Sequence, residues 1–219
     1  LWQVHPLRKL PLRKVPMNPI KILICDDQQL VREALTALLS LEPDIEVTGN
    51  FGSGIEALSA VAKLTPDVVL LDIEMPDLSG IEVVSRLKAQ GYAGRCIMVT
   101  TFGRPGYLQR ALDAGASGFV VKDTPAAQLA EAIRKVHRGL RVVDPTLATE
   151  SLFSGNNPLT DREKEVLRLA VRGQSVKEIS RALSLSQGTV RNYLSSCIAK
   201  TNTANRYDAA QYALQQGWL

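Results

Sequence analysis

From Ile20 onward, short continuous apolar runs alternate with segments whose apolar residues recur at helical spacing. The runs Ile20–Cys25, Ile45–Asn50, Val68–Asp72, Arg95–Thr100 and Gly118–Val121 predict strands. Amphipathic stretches near 28–41, 54–64, 79–89, 105–114 and 125–137 predict helices. This alternation predicts an α/β fold with a five-stranded, doubly wound parallel sheet. The strands are rich in Ile, Val and Leu along their whole length, as strands covered on both faces require. Such sheets place their chemistry beyond the carboxyl ends of the strands, at a topological switch point.

The pattern changes after residue 137. Gly139, Pro145, Gly155 and Pro158 interrupt any helix, and Asn156-Asn157-Pro158 reads as a turn, so residues 138–155 are expected to be a linker. From Thr160 the period is helical throughout, over about 161–172, 175–183, 186–200 and 205–216, predicting a small all-α domain over 156–219. Thr160 followed by Glu163 matches a capping box. The α/β domain spans 17–137. Residues 1–16 carry three prolines and no usable period, and are read as a non-native or disordered extension outside the fold.

Two domains suit a chain of 219 residues. No run of about 18 apolar residues occurs, which argues against a membrane span. Cys25, Cys96 and Cys197 are too few and scattered for a disulfide framework or zinc site, consistent with a reducing cytoplasm. The net charge of +4 is unevenly spread: residues 17–137 carry −4, whereas residues 156–219 carry +4. An acidic domain followed by a basic one points to a cation site and then to a polyanionic partner.

Candidate chemistry falls at the strand ends. Asp26 and Asp27 follow the first strand, Asp72 ends the third, Thr100 ends the fourth and Lys122 follows the fifth. A parallel fold gathers these ends on one rim. Three clustered carboxylates repel unless a cation sits among them, and hard oxygen ligands suit Mg²⁺. A carboxylate beside Mg²⁺ and a lysine can attack a phosphoryl group to form an acyl phosphate. Taken singly, each residue has an ordinary explanation as a helix cap, a solvated lysine or a turn hydroxyl. Their conjunction at four strand ends does not.

The segments ILICDDQQLVREAL, PDVVLLDIEMPDLSG, IMVTTF and GASGFVVKD resemble the receiver domain of two-component response regulators over about residues 19–137. The resemblance implies a flavodoxin-like fold with Asp72 as phosphoacceptor. It implies that Asp27 ligates Mg²⁺ directly, Asp26 assists through water and the Glu74 backbone carbonyl supplies a further ligand. Thr100 would hydrogen-bond the new phosphoryl group, Lys122 would pair with it, and Phe119 would change rotamer with Thr100. Lys122-Asp123 replaces the Lys-Pro of many receivers, and the glycine-rich 101–107 segment is unusual. Gly52-Ser53-Gly54 lacks the Gly-Lys-Ser/Thr of a phosphate loop and reads as a helix-starting turn.

Within 156–219, a helix at Val176–Leu183, a turn at Ser184–Ser186 and a helix opening at Gln187 have helix-turn-helix spacing, with Ile179, Leu183, Val190 and Leu194 at packing positions. Arg191 can fork onto guanine and Asn192 onto adenine. LTDREKEVL and the SVKEIS and LSLSQGTVRNYL runs resemble the LuxR/NarL-type output domain, so that the tandem resembles the NarL/FixJ class of transcriptional regulator. That resemblance implies that Arg191, Asn192 and Ser195 face bases while Lys177, Thr189 and Tyr193 meet phosphates, with Lys200 and Asn205-Arg206 as further backbone contacts. It departs from the family pattern at Tyr193, where His is frequent, and at Lys200-Thr201-Asn202, where Lys-Leu-Gly is common. The QQL, TTF-RPGY, TVRNY and terminal Gly-Trp features further resemble regulators of membrane-lipid desaturase genes in Gram-positive bacteria.

The resemblance implies a cytoplasmic transcriptional regulator rather than an enzyme. A sensor histidine kinase would phosphorylate Asp72, and the resulting homodimer would place two recognition helices about one turn apart on promoter DNA. Two alternatives share some of these features. An aspartyl-phosphate phosphatase needs an acid two residues after its nucleophile, a position held here by Glu74. An atypical receiver would bind DNA constitutively.

Overall fold

The computed structural model describes residues 18–101, 105–153 and 157–219. The reading of residues 1–16, Phe102-Gly103-Arg104 in the unusual loop, and Asn156 in the turn lie outside the described residues. Five strands form where the apolar runs predict them: β1 (Ile20–Cys25), β2 (Ile45–Phe51), β3 (Val68–Leu71), β4 (Arg95–Thr100) and β5 (Gly118–Val121). Helices α1 (Gln29–Leu39), α2 (Gly54–Leu64), α3 (Gly80–Ala89), α4 (Pro105–Ala114) and α5 (Ala126–His137) connect or follow them.

All strand pairings are parallel, in the order β2-β1-β3-β4-β5-β6. The sixth strand, β6 (Val142–Val143), and helix α6 (Pro145–Phe153) occupy the stretch expected to be a linker. Pro145 does not break this helix but begins it, where a missing amide costs nothing. The Asp144 carboxylate accepts the free amides of Thr146 (2.9 Å) and Leu147 (3.3 Å). Only two residues long, β6 pairs with β5 at Gly118 and Phe119.

Alternation along the strands splits the core in two. Leu23, Cys25, Val69, Leu71, Met98 and Phe119 face α2, α3, α4 and Leu147 of α6. Ile22, Ile24, Val68, Leu70, Ile97 and Val99 face α1 and α5. Burial of both faces explains why the runs are continuously apolar. Outside the core, the Arg134 guanidinium of α5 donates to both carboxylate oxygens of Asp44 (2.7 and 2.6 Å) and to Glu42 (2.6 Å), pinning the α1–β2 turn.

The C-terminal domain comprises α7 (Asp161–Val171), α8 (Val176–Ala182), α9 (Gln187–Thr201) and α10 (Arg206–Gln215). Thr160 and Glu163 form the expected capping box, and Ser175 and Glu178 form a second one on α8. Ile179, Val190 and Leu194 are buried in one cluster, with Leu183 packed half-buried against it.

Candidate phosphoacceptor pocket and nucleic-acid interface

From β1 the chain turns one way to β2 and the other way to β3, so the switch point lies beyond the ends of β1 and β3. Asp26, Asp27 and Asp72 stand there. Oxygens of the three carboxylates lie within 4.8 Å of one another; Asp26 and Asp72 are buried and Asp27 is exposed. Lys122, which follows β5, places its ammonium 2.7 Å from Asp26 and 3.2 Å from Asp72. Thr100, at the end of β4, is buried, and its carbonyl accepts the Lys122 amide at 2.8 Å.

Burial pushes the Asp72 carboxyl up to about 6; Lys122 opposes the shift and Asp26 adds to it. The other Asp72 oxygen accepts the Ile73 amide at 2.8 Å. For Lys122, burial disfavours the ammonium, but the bonds to Asp26 and Asp72 outweigh it and hold the lysine charged. This donor set fits a hard divalent cation: anionic oxygens converge, and the exposed Asp27 leaves a side on which the ion can keep water.

Backbone contacts hold the rim. The Arg32 guanidinium donates to the Asp26 carbonyl at 2.6 Å. Asp77, in the loop after Asp72, accepts from the Ser53 hydroxyl and from the amides of Gly54 (3.2 Å) and Ile55 (3.1 Å), tying that loop to the start of α2. Ser53 thus caps a helix, as the turn reading expects. Gly80 lets α3 start against the Asp72 backbone, since a Cβ there would collide with the Asp72 carbonyl oxygen. The sequence reading did not identify Arg32, Asp77 or Tyr107, whose hydroxyl donates to the Glu74 carboxylate at 3.0 Å. Arg32 falls on the α1 turn just after the Asp pair, which is a usable signal; the other two contacts join residues distant in sequence. Glu74 is exposed, whereas Phe119 is fully buried among side chains of the α4 face.

In the second domain the structure places the base-reading candidates Arg191, Asn192 and Ser195 exposed on α9. Arg191 makes a long bond to Gln187 (3.4 Å). Thr189 donates its amide to the Ser186 cap at 3.0 Å. Lys177 is exposed on α8, Tyr193 packs against the domain core, and Arg206 opens α10 half-buried. Lys200 differs from these cations because its ammonium lies 2.7 Å from the buried Glu163 carboxylate. Glu163 also accepts from Ser196 (2.6 Å) and from the Thr160 amide (2.6 Å). Burial alone would raise its pKa, but these bonds bring it down to about 2.

Residues 22–134 match the family model for the response regulator receiver domain, and residues 157–213 match that for bacterial regulatory proteins of the luxR family. The chain is 48% identical over 200 residues to the uncharacterized transcriptional regulatory protein YvfU of Bacillus subtilis, covering 91% of this chain and 100% of that one. It is 47% identical to the transcriptional regulatory protein DesR of the same organism, with 91% and 99% covered. Among solved structures, the response regulator ChrA of a heme-sensing two-component system aligns with TM-score 0.56 and 28% identity over 93% of this chain and 100% of that one. The RcsB–DNA complex aligns with TM-score 0.63 and 25% identity, over 90% and 99%. These matches cover both domains and set the phosphatase alternative aside. The chain belongs to the LuxR/NarL family of two-component response regulators, DNA-binding transcription regulators with a parallel α/β receiver joined to an all-helical output domain.

Proposed function

We propose that Asp72 is the phosphoacceptor and that its phosphorylation by a sensor histidine kinase, with Mg²⁺ bound, promotes dimerisation and operator binding. The observation that carries this reading is the three-carboxylate cluster at the switch point with Lys122 bonded into it. An Asp72 oxygen attacks phosphorus, the bond to the donor nitrogen breaks, and the leaving imidazole regains its proton. Mg²⁺, held by Asp27, Asp72, the Glu74 carbonyl and, through water, Asp26, would neutralise charge on the transferring oxygens. Lys122 pairs with the new phosphoryl group, Thr100 donates to it, and Phe119 repacks with Thr100 to carry the change toward α4.

The receiver spans 17–137 and the output domain 156–219, joined through 138–155. Arg191, Asn192 and Ser195 read base edges in the major groove, while Lys177, Thr189, Tyr193 and Arg206 contact the phosphate backbone of double-stranded promoter DNA, and Lys200, held by Glu163, adds a weaker backbone contact. Among the described residues, no helix is long and apolar enough to cross a membrane. The regulator acts in the cytoplasm.

The test is Mg²⁺-dependent uptake of beryllofluoride, followed by size-exclusion chromatography with light scattering. Uptake with a monomer-to-dimer shift, both lost in Asp72→Asn, is expected. Uptake retained in that variant would refute the assignment of Asp72.

A further inference from the structure

Asp26 is held at each of its polar atoms. Its amide donates to the Phe51 carbonyl at 3.0 Å. One carboxylate oxygen accepts the Gln28 amide at 2.9 Å, and the other lies 2.7 Å from the Lys122 ammonium. Its carbonyl accepts the Arg32 guanidinium at 2.6 Å. This last bond bears on Asp27. The Asp26 carbonyl belongs to the planar peptide unit that joins the two aspartates. Fixing the direction of the carbonyl therefore fixes how the chain enters Asp27, the exposed carboxylate of the cluster.

Arg32 reaches the carbonyl from the first turn of α1, where its own amide donates to the Gln28 carbonyl at 3.0 Å. The guanidinium also lies against Gly52, just after β2, where an added Cβ would come 3.2 Å from its Nη1. It thus approaches Asp26 from the β2 side, whereas Lys122 approaches from the β5 side. The Arg32 Nε is buried and has no partner among the described residues. A buried donor left unpaired lowers stability, and an aliphatic side chain would fill the same space without that cost. Packing therefore does not account for an arginine here. Charge does not account for it either, because a cation beside a metal site repels the metal. What the arginine adds is a charge-assisted bond that holds one peptide unit in one orientation.

We propose that Arg32 is a positioning residue for the divalent cation: through the Asp26 carbonyl it orients the Asp26-Asp27 peptide unit so that both carboxylates converge on one ion. This inference rests on the reading that Mg²⁺ binds among Asp26, Asp27 and Asp72. Arg32 touches neither the ion nor the transferred group. It acts as the residues behind metal ligands act, by fixing the direction of a ligand before the ion arrives.

The test is Mg²⁺ titration of the full chain, followed by amide NMR shifts, with thermal unfolding in chelator measured on the same variants. Arg32→Met keeps the apolar stem and loses the fork, and should weaken Mg²⁺ binding about tenfold or more. Arg32→Lys keeps a cation able to donate one bond to the carbonyl, and should recover most of the affinity. An arginine acting only by its charge predicts the opposite sign, since removing a cation beside the site tightens Mg²⁺ binding. Tighter or unchanged binding in Arg32→Met therefore overturns the proposal, even where that variant melts lower in chelator. Gly52→Ala crowds the guanidinium from the loop side and should weaken Mg²⁺ binding in the same direction. If Arg32→Met does not fold, unchanged binding in Gly52→Ala overturns the proposal instead. If the wild type binds no Mg²⁺, the cation reading and this inference fall together; if it binds and Arg32→Met binds equally well, this inference falls alone.

Discussion

The Lys122 ammonium stands 3.2 Å from the Asp72 carboxylate, yet Asp72 still titrates near 6, well above an ordinary aspartate. The ion pair therefore does not offset the burial of Asp72 beside Asp26. In the folded chain the proton is held more tightly than in the unfolded one, whose aspartate titrates near 3.9. Stability is then lost as pH rises through roughly 4 to 6, the opposite of the usual carboxylate effect. Asp72→Asn removes this cost and should stabilise the metal-free protein at pH 7.5 by on the order of 2 kcal/mol. Thermal unfolding in chelator should show the gap at pH 7.5 and a much smaller one near pH 4.5. Saturating Mg²⁺ should narrow the gap at pH 7.5 by stabilising the wild type alone. Equal melting temperatures at pH 7.5 would mean that the pocket is not strained.

Gly80→Ala tests the architecture of the same rim. The added methyl meets the Asp72 backbone rather than a side chain that can rotate away, so α3 or Asp72 must shift. The expected cost is about 2 kcal/mol or more, with reduced beryllofluoride uptake in the protein that remains folded. Chemical denaturation reports the first effect and fluorine NMR the second. Wild-type values for both would show that the close approach has slack.

Glu163 links the start of α7 to α9 through Ser196 and Lys200. Its folded pKa of about 2 lies below its unfolded value near 4.5, so its contribution is present above pH 4.5 and lost as pH falls toward 2. The shift corresponds to about 3 kcal/mol. Glu163→Gln should lower output-domain stability at pH 7 and flatten the acid limb of its denaturation curve. Trp218, buried in the output core, reports this by fluorescence in a Trp2→Phe background. An unchanged acid limb would show that the carboxylate is not acting as an ion.

Much of the receiver was legible because its signals are local or periodic. A strand buried on both faces is apolar along most of its length, and β1, β4 and β5 fall on the predicted runs although Lys21 and Arg95 stay exposed. The pocket was legible because a parallel sheet collects residues from strand ends whatever their distance in sequence. The stretch after α5 was not, because a two-residue strand has no period and Pro145 marks a helix start as readily as a break. Lys200 reads in the sequence as a further phosphate-backbone contact, and only tertiary packing brings its ammonium to Glu163. Tyr107 looked like a loop aromatic, since nothing local indicates that its hydroxyl meets Glu74.

Three basic residues of the output domain should separate by what they touch. Arg191 is exposed on α9 with only a long bond to Gln187 to give up, so its guanidinium is available to a base pair at little cost. Arg191→Ala should lose about 1–3 kcal/mol of operator affinity and relax preference at one position. Lys177→Ala should weaken all sequences alike and reduce the salt slope by about 1, as loss of a phosphate contact does. Lys200 is already committed to Glu163, so Lys200→Ala should act chiefly on stability, with a smaller change in salt slope than Lys177→Ala. Fluorescence anisotropy across a salt series, with the operator and single-base variants, resolves all three. A uniform loss for Arg191→Ala would demote it to a backbone contact, and a salt-slope change for Lys200→Ala as large as that for Lys177→Ala would mean that its ammonium leaves Glu163 when DNA arrives.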